Sequence, residues 1–468
     1  MSLKSLHYES LSRVASLIRR RKISPVELAK HQFERINDID PGLHAFVLLT
    51  KERALRQARQ AEEEIRSNIY RGPLHGIPIA LKDLFYVAGS PTAGGLDFCA
   101  DFLPDYSATV VERLDAAGAV MLGKLAMTEG AAGNVYSPSC VRPVNPWRGD
   151  LYEGASSSGS GVATAAGLCF ASLGSDTAGS LRYPCAQNGL TGLKVTYGLV
   201  SRFGVYDLAP SLDTFGPVAR SAEDCAIVLS AIAGRDSNDP TCMQLAPQDF
   251  TANAPRNLKG VVIGFDPALM EKRGVEKKTR AALEDALAVF TRCGAAIREF
   301  EFPDISEIEA LWFEALFVEI AGVHKENFAK NRGAYDPVNM PFIFEIARSV
   351  DVIDYPAILQ KRAAFAGRVA EMFDQIDLFL SPVIPWDEAT HERIIALADR
   401  ASTNNLYGFN WPVNFAGIPA MVFPASKAVN GPPVSLQLLG PILGERSLLG
   451  AVRLFQSKTD WHDQHPEL

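Results

Sequence analysis

The stretch from Gly154 to Gly192 consists largely of glycine, serine and small apolar residues, and Asp176 and Arg182 are its only charged residues. Ser156, Ser157, Ser158 and Ser180 lie within it. A serine hydroxyl becomes a useful nucleophile only when a neighbouring base takes its proton. Glycines allow the positive φ values with which successive N–H groups converge, as a developing oxyanion requires. Leu168, Cys169, Phe170, Leu173, Leu181 and Leu190 interrupt the stretch. It therefore reads as a loop, a tightly packed small-residue helix from Gly161 to Gly174 and a second loop, not as an exposed linker. Asp176 and Arg182, isolated in apolar surroundings, are expected to pair with each other, because an unpaired buried charge is expensive.

Several other chemistries fit this stretch poorly. Gly154-Ala155-Ser156-Ser157-Ser158-Gly159-Ser160 has the glycine spacing of a phosphate-binding loop, but Ser160 stands where lysine is needed. Gly159-Ser160-Gly161-Val162-Ala163-Thr164 lacks the last glycine of a dinucleotide fingerprint. No G-x-S-x-G nucleophile elbow is present. The chain has eight histidines and no pair at metal-ligand spacing, so no metal or other cofactor is expected. Only His75 precedes an apolar strand, and in Leu74-His75-Gly76 it reads as a hydrogen-bonded turn residue. The base is therefore sought elsewhere. Lys82 ends the run Ile77-Pro78-Ile79-Ala80-Leu81. Taken alone, such a lysine is more often a solvated turn residue. Buried, its pKa would fall from ~10.4 toward 7, a bias of roughly 4–5 kcal/mol, and its neutral amine could accept a proton.

These residues need a scaffold. Ser24-Pro25-Val26-Glu27 combines a capping box with proline at the first helical position and predicts a helix to about Asp38. A second, heavily charged helix spans Lys51 to Ser67. The first 70 residues thus read as a helical N-terminal section, followed by a catalytic core segment over 72–225. Short apolar runs at Ile77–Leu81, Ala119–Leu122, Val261–Phe265, Ala296–Phe300, Asp377–Leu380 and Ala420–Phe423 predict strands. Val434–Leu438 alternates, which fits a strand near a sheet edge. Helices over Thr109–Ala117 and Val275–Cys293 alternate with them, so the fold class is α/β with helices on both faces. No repeat or long linker divides the 468 residues, which are expected to form one body.

Composition narrows the field further. With 46 Lys plus Arg against 54 Asp plus Glu, the net charge of -8 argues against nucleic acid as a partner. Arg19-Arg20-Arg21-Lys22 reads as a solvated helix end. Seven cysteines without a C-x-x-C pair indicate reduced thiols. The opening residues lack the apolar run of a signal peptide, and no segment suits a membrane span, so a cytoplasmic location is expected.

Gly154-Ala155-Ser156-Ser157-Ser158-Gly159, followed by Gly174-Ser175-Asp176-Thr177-Ala178-Gly179-Ser180-Leu181-Arg182-Tyr183-Pro184-Cys185, resembles the amidase signature. Gly72-Pro73-Leu74-His75-Gly76-Ile77-Pro78-Ile79-Ala80-Leu81-Lys82-Asp83 resembles that family's lysine strand. Tyr197–Arg202, Ser211–Pro217, Asn414–Ala420 and Leu438–Pro441 agree as well. The resemblance implies a single large mixed β-sheet core and a Ser–cisSer–Lys triad. Ser180 would be the nucleophile, Ser156 the bridging serine after a cis peptide bond, and Lys82 the base. Ser157, Asp176 and Arg182 would support them. The N–H groups of Thr177, Ala178, Gly179 and Ser180 would form the oxyanion hole. Ala178 departs from the commoner glycine; at positive φ it would cost on the order of 1 kcal/mol.

The resemblance also implies an acyl pocket approached by Met127, Tyr136 and Tyr183, whose neutrality favours a small uncharged or aryl amide or carbamate. Hydrolysis of its C–N bond would release ammonia or an amine. A homodimer is a family-level expectation. Two alternatives stand beside the free amidase: the glutaminase subunit of a tRNA-dependent amidotransferase, and a binding protein without catalysis.

Overall fold

The computed structural model describes residues 6–252, 254–397 and 406–468. Met1–Ser5, part of the opening stretch that lacks a signal-peptide pattern, lies outside them. Eleven strands form one sheet: β1 (Phe46–Leu49), β2 (Pro78–Lys82), β3 (Val120–Leu125), β4 (Ala171–Asp176), β5 (Thr191–Lys194), β6 (Thr214–Ala219), β7 (Val262–Phe265), β8 (Ala296–Glu299), β9 (Leu378–Pro382), β10 (Ala420–Pro424) and β11 (Ser435–Leu439). Their order is β1-β3-β2-β4-β6-β5-β10-β11-β9-β7-β8. β2 runs parallel to both β3 and β4, whereas β4–β6 and β5–β10 are antiparallel, so the sheet is mixed.

Strand residues alternate between faces, and the alternation shows helices on both. Ile79 and Leu81 of β2 pack in one core with Val110 and Leu114 of the helix Thr109–Ala116 and with Ala222–Ile232. Ala80, between them, packs in a second core with Phe33 and Ile36 of Pro25–Leu43, Ala54 and Ala58 of Lys51–Arg66, and Val162 of Ser158–Ala165. Near-continuous apolar runs suit strands covered on both faces.

Local signals explain most boundaries. Ser24 Oγ accepts from the N–H groups of Val26 and Glu27, capping Pro25–Leu43. That helix runs past the expected end at Asp38 and stops at His44, whose φ is 55°. Arg19 to Lys22 form the exposed end of the helix Leu11–Arg19. Among the described residues, no helix is long and apolar enough to cross a membrane.

Three expectations are corrected. The N-terminal section is not wholly helical, because Phe46–Leu49 pairs with β3 as an edge strand. The small-residue helix ends at Ala165, Gly167 turns the chain at φ 68°, and residues from Ala171 enter the sheet as β4. β11 lies inside the sheet between β10 and β9. Its polar positions Ser435 and Gln437 are buried rather than solvent-facing.

Candidate active site

Lys82 closes β2 with its side chain fully buried. Its Nζ lies 2.7 Å from Ser156 Oγ and 2.7 Å from Ser175 Oγ. Burial pulls its pKa down to about 7, against the opposing pull of the Asp213 and Asp176 carboxylates. Desolvation penalises the ammonium and leaves the neutral amine available near neutrality.

Ser156 follows a cis Ala155–Ser156 peptide bond. The Ala155 N–H donates to Tyr152 Oη at 2.8 Å, and that hydroxyl donates to Asn134 Oδ1 at 2.6 Å. Ser157 ties the same loop to β4: its Oγ accepts from the Ser175 N–H at 3.1 Å and donates to the Ser175 carbonyl at 3.2 Å. The Ser157 N–H donates to the Ser180 carbonyl at 3.1 Å. Gly154 has φ 82°, and a Cβ there would come within 2.5 Å of the Pro184 backbone, so the two loops approach as closely as they do only through glycine.

The expected Asp176–Arg182 pair is present and buried, with Nε to Oδ2 at 2.9 Å and Nη2 to Oδ1 at 3.0 Å. Arg182 also donates to Gln437 Oε1, Asn410 O and Asn414 Oδ1, so its planar fork is satisfied across the sheet. Burial pushes the Asp176 carboxyl up, but the Arg182 charge holds it below the usual carboxylate range. The Gly179 N–H donates to Asp176 Oδ1 at 2.8 Å and is therefore already committed. Gly179 takes φ 120°, where a Cβ would strike the Tyr183 ring at 2.3 Å. Ala178 is not among the residues at positive φ, so its methyl carries no such strain.

Thr177 Oγ1 donates to Asp213 Oδ1 at 2.6 Å, while Asp213 Oδ2 accepts from the N–H groups of Leu208 and Ala209. Burial pushes the Asp213 carboxyl up to about 7. Ser180, half-buried, lines a cavity of about 200 Å³ together with Thr177, Ala178, Ala155, Tyr183 and the loop from Ala131 to Asn134. The far wall is Leu208, Trp312, Phe313, Leu316, Phe317, Ile320, Phe342, Ile343 and Tyr407. Among the described residues, no charged side chain lines this cavity.

Of the three residues expected at the pocket, Tyr183 is there, with its hydroxyl accepting from Asn410 Nδ2 at 3.0 Å. Met127 instead lines a separate cavity of about 680 Å³ with Asp83 and Cys140, which includes neither Ser156 nor Ser180. Tyr136 donates to the buried Glu153 Oε1 at 2.7 Å and does not line the smaller cavity. The reason is that the wall of the smaller cavity is built from Ala131 to Asn134, between these two residues in the chain. The larger cavity is lined by Ser137 and Ser139 but does not reach the Ser156–Lys82 arrangement or Ser180.

Sequence reasoning missed three features. Ser175 holds Lys82, yet among many serines nothing marked it. Asp213 lies within Ser211–Pro217, where an acid in an otherwise uncharged run was the available signal. The aromatic wall comes from Trp312, Phe313 and Phe317 on one helix and Phe342 on another, and in the sequence these residues read like ordinary core. Among the described residues, no group of three or more His, Cys, Asp or Glu could hold a metal.

Comparison with known proteins adds independent observations. The Amidase family model matches residues 27–449. A Mycobacterium tuberculosis protein named "Putative amidase AmiD" is 38% identical over 462 residues, covering 97% of this chain and 95% of the relative. A glutamyl-tRNA(Gln) amidotransferase subunit from Methylococcus capsulatus is 35% identical over 489 residues, covering 98% of this chain and 99% of that one. The peptide amidase structure from Stenotrophomonas maltophilia superimposes with a TM-score of 0.84 at 28% identity, covering 98% of both chains. With a family match over nearly the whole sequence and one mixed sheet of the same architecture, the chain belongs to the amidase (amidase signature) family of amide-hydrolysing enzymes.

Proposed function

We propose that the protein hydrolyses uncharged, largely apolar amides through an acyl-enzyme on Ser180. The observation that carries this reading is Lys82 Nζ, buried at a strand end and 2.7 Å from Ser156 Oγ. In the proposed sequence, Ser180 Oγ attacks the amide carbon while its proton passes to Ser156 and the Ser156 proton passes to neutral Lys82. The tetrahedral oxyanion is met by the N–H groups of Thr177, Ala178 and Ser180. Gly179 holds the loop instead, since its N–H is donated to Asp176. Collapse returns the proton through Ser156 to the departing nitrogen, which leaves as ammonia or an amine. Water then cleaves the ester with the same relay taking its proton.

The cavity lining supports a neutral acyl group, whether amide or carbamate. It also favours this reading over the glutaminase one. Glutamine carries a carboxylate and an ammonium on its α-carbon, and burying either without a counter-charge is expensive. Among the described residues, the cavity offers neither counter-charge. The proposed enzyme accordingly works as a free-standing chain, without nucleic acid or membrane.

The test is amine release from a panel of primary amides, anilides and carbamates by the purified chain. Ser180→Ala is expected to lower kcat on the order of 10⁶-fold, as removal of a serine nucleophile does elsewhere, with an unchanged thermal transition. A variant retaining a tenth of the activity would remove Ser180 as nucleophile, and activity with glutamine alone would favour the amidotransferase reading.

A further inference from the structure

We infer that the catalytic cavity takes an elongated apolar acyl arm, and that Phe342 sets how far along that arm binding extends. This rests on the acyl-enzyme reading and goes beyond it. The first observation concerns direction. Ser180, Thr177 and Ala178 line the cavity, but neither Ser156 nor Lys82 does. The departing nitrogen must face the relay that protonates it, so the group that enters the cavity is the acyl side.

The second observation concerns length. Liquid water occupies about 30 Å³ per molecule, so a cavity of about 200 Å³ holds on the order of seven non-hydrogen atoms. Longer arms must pass the mouth. Phe342 lines the cavity and is also 51% exposed, which places it at that mouth. Its ring lies 6.0 Å from that of Phe317, edge to face, within the cavity wall. Val338, which immediately precedes the helix Asn339–Ser349 that carries Phe342, is 73% exposed. Val338 stands four residues before Phe342, one helical turn away. Val338 and Phe342 thus present exposed apolar surface on one turn at the start of this helix, beside the cavity that Phe342 lines.

The third observation is anchorage. Asn339 Nδ2 donates to the Ala132 carbonyl at 3.1 Å, and both Glu129 carboxylate oxygens accept from the Asp336 N–H. The start of the Phe342 helix is thereby fixed to the loop forming the opposite wall. Phe342 is a positioned rim residue, not a loose surface side chain.

The experiment measures kcat/KM for 4-nitroanilides of acetic, butanoic, hexanoic, octanoic and decanoic acids, which share one leaving group. The wild-type value is expected to rise about fourfold per methylene while the arm is being buried, then to level off. Phe342→Ala should lower kcat/KM for octanoyl and decanoyl substrates about tenfold, through KM, and leave the acetyl substrate within twofold. Phe342→Leu should restore most of the loss. Equal losses for acetyl and decanoyl substrates, or a wild-type profile that falls with length, would overturn the inference. Acetyl turnover that remains dependent on Ser180 in that case leaves the acyl-enzyme reading standing. Turnover indifferent to Ser180→Ala sinks that reading instead.

Discussion

Lys82 and Lys124 sit on adjacent parallel strands, paired in register as Leu81 with Lys124 and Lys82 with Leu125. Both are 0% exposed. Their partners differ. Lys124 Nζ lies 2.7 Å from Asp83 Oδ1 and 2.8 Å from Thr92 Oγ1, a buried ion pair completed by a hydroxyl. Lys82 Nζ meets two serine hydroxyls and makes no ion pair with a described carboxylate. Burial pulls the Lys124 ammonium down, but the adjoining Asp83 charge opposes it. For Lys82 the carboxylates act from a distance, and its pKa falls to about 7. A third lysine shows that a lowered pKa is not sufficient. Lys194 is also drawn to about 7 by burial, yet its Nζ donates to the Val195 carbonyl and reaches no serine of the site. In the proposed mechanism burial brings the lysine into the useful range, and the neighbouring Ser156 hydroxyl is what would let it act as the base.

The comparison breaks most visibly at Lys82. Lys82→Met is expected to lower kcat/KM by about 10²–10⁴-fold at pH 8, the range associated with loss of a positioned base. It should also stabilise the fold. With the folded pKa near 7 and the unfolded value at 10.5, the unfolded chain holds more protons between those pH values. Wild-type stability therefore rises with pH across that window. The penalty of the buried ammonium is complete below pH 7 and is relieved toward pH 10.5. Lys82→Met removes it, giving roughly 1–3 kcal/mol of added stability at pH 6 that shrinks as pH rises. Urea unfolding at pH 6 and pH 9 measures both. A variant less stable than wild type at pH 6 would mean that Lys82 is a structural cation after all.

Lys124→Met should do the opposite. It strands Asp83 as an uncompensated buried carboxylate, a loss of about 3–5 kcal/mol. The activity of the remaining folded enzyme should stay within a few-fold of wild type, because Lys124 touches neither Ser156 nor Ser175. Lys124→Met combined with Asp83→Leu should recover most of the loss, since replacing both partners leaves no orphaned charge. A denaturation midpoint unmoved by the single change would show that the pair is not ionised in the folded protein.

The two lysines also show how much the sequence discloses. Lys82 stood out because an apolar run ending in lysine was among the few candidate bases for a serine-rich, nearly charge-free stretch, and the structure buries it against Ser156. The Asp176–Arg182 pair was legible for a similar reason: two lone charges in an apolar run must find each other. The pocket wall was not. Trp312 and Phe342 come from helices whose apolar residues read like ordinary core, and which of them faces Ser180 depends on long-range packing. Met127 and Tyr136 were expected there from the family resemblance, but only Ala131 to Asn134 between them reach the cavity. β11 was placed at an edge because alternation equates polar with solvent-facing. Gln437 is polar because it accepts from Arg182 and donates to the Pro382 and Phe409 carbonyls inside the core.

The smallest effect is the sharpest test, and it concerns Ser175. A neutral amine has one lone pair and two N–H bonds, so Lys82 can accept from Ser156 while donating to Ser175. In the proposed relay the Ser175 hydroxyl would therefore orient the lone pair toward Ser156 and also stabilise the ammonium once it forms. Ser175→Ala removes an acceptor from the charged form, which disfavours it and moves the apparent pKa downward. The wild-type pH profile of kcat/KM should rise tenfold per pH unit below about pH 7 and level off above, because the proposed relay needs the neutral amine. In Ser175→Ala the bend should move to lower pH by less than about one unit, at 1.36 kcal/mol per unit for a net hydrogen bond worth about 1 kcal/mol. The plateau should fall by about three- to tenfold through kcat, as the amine loses one of its two anchors. At pH 6 the two effects oppose each other, so wild type and variant should differ less there than at pH 8. A bend that moves upward would mean that Ser175 donates to Lys82 rather than accepting from it, and would reverse the direction of the relay's second hydrogen bond.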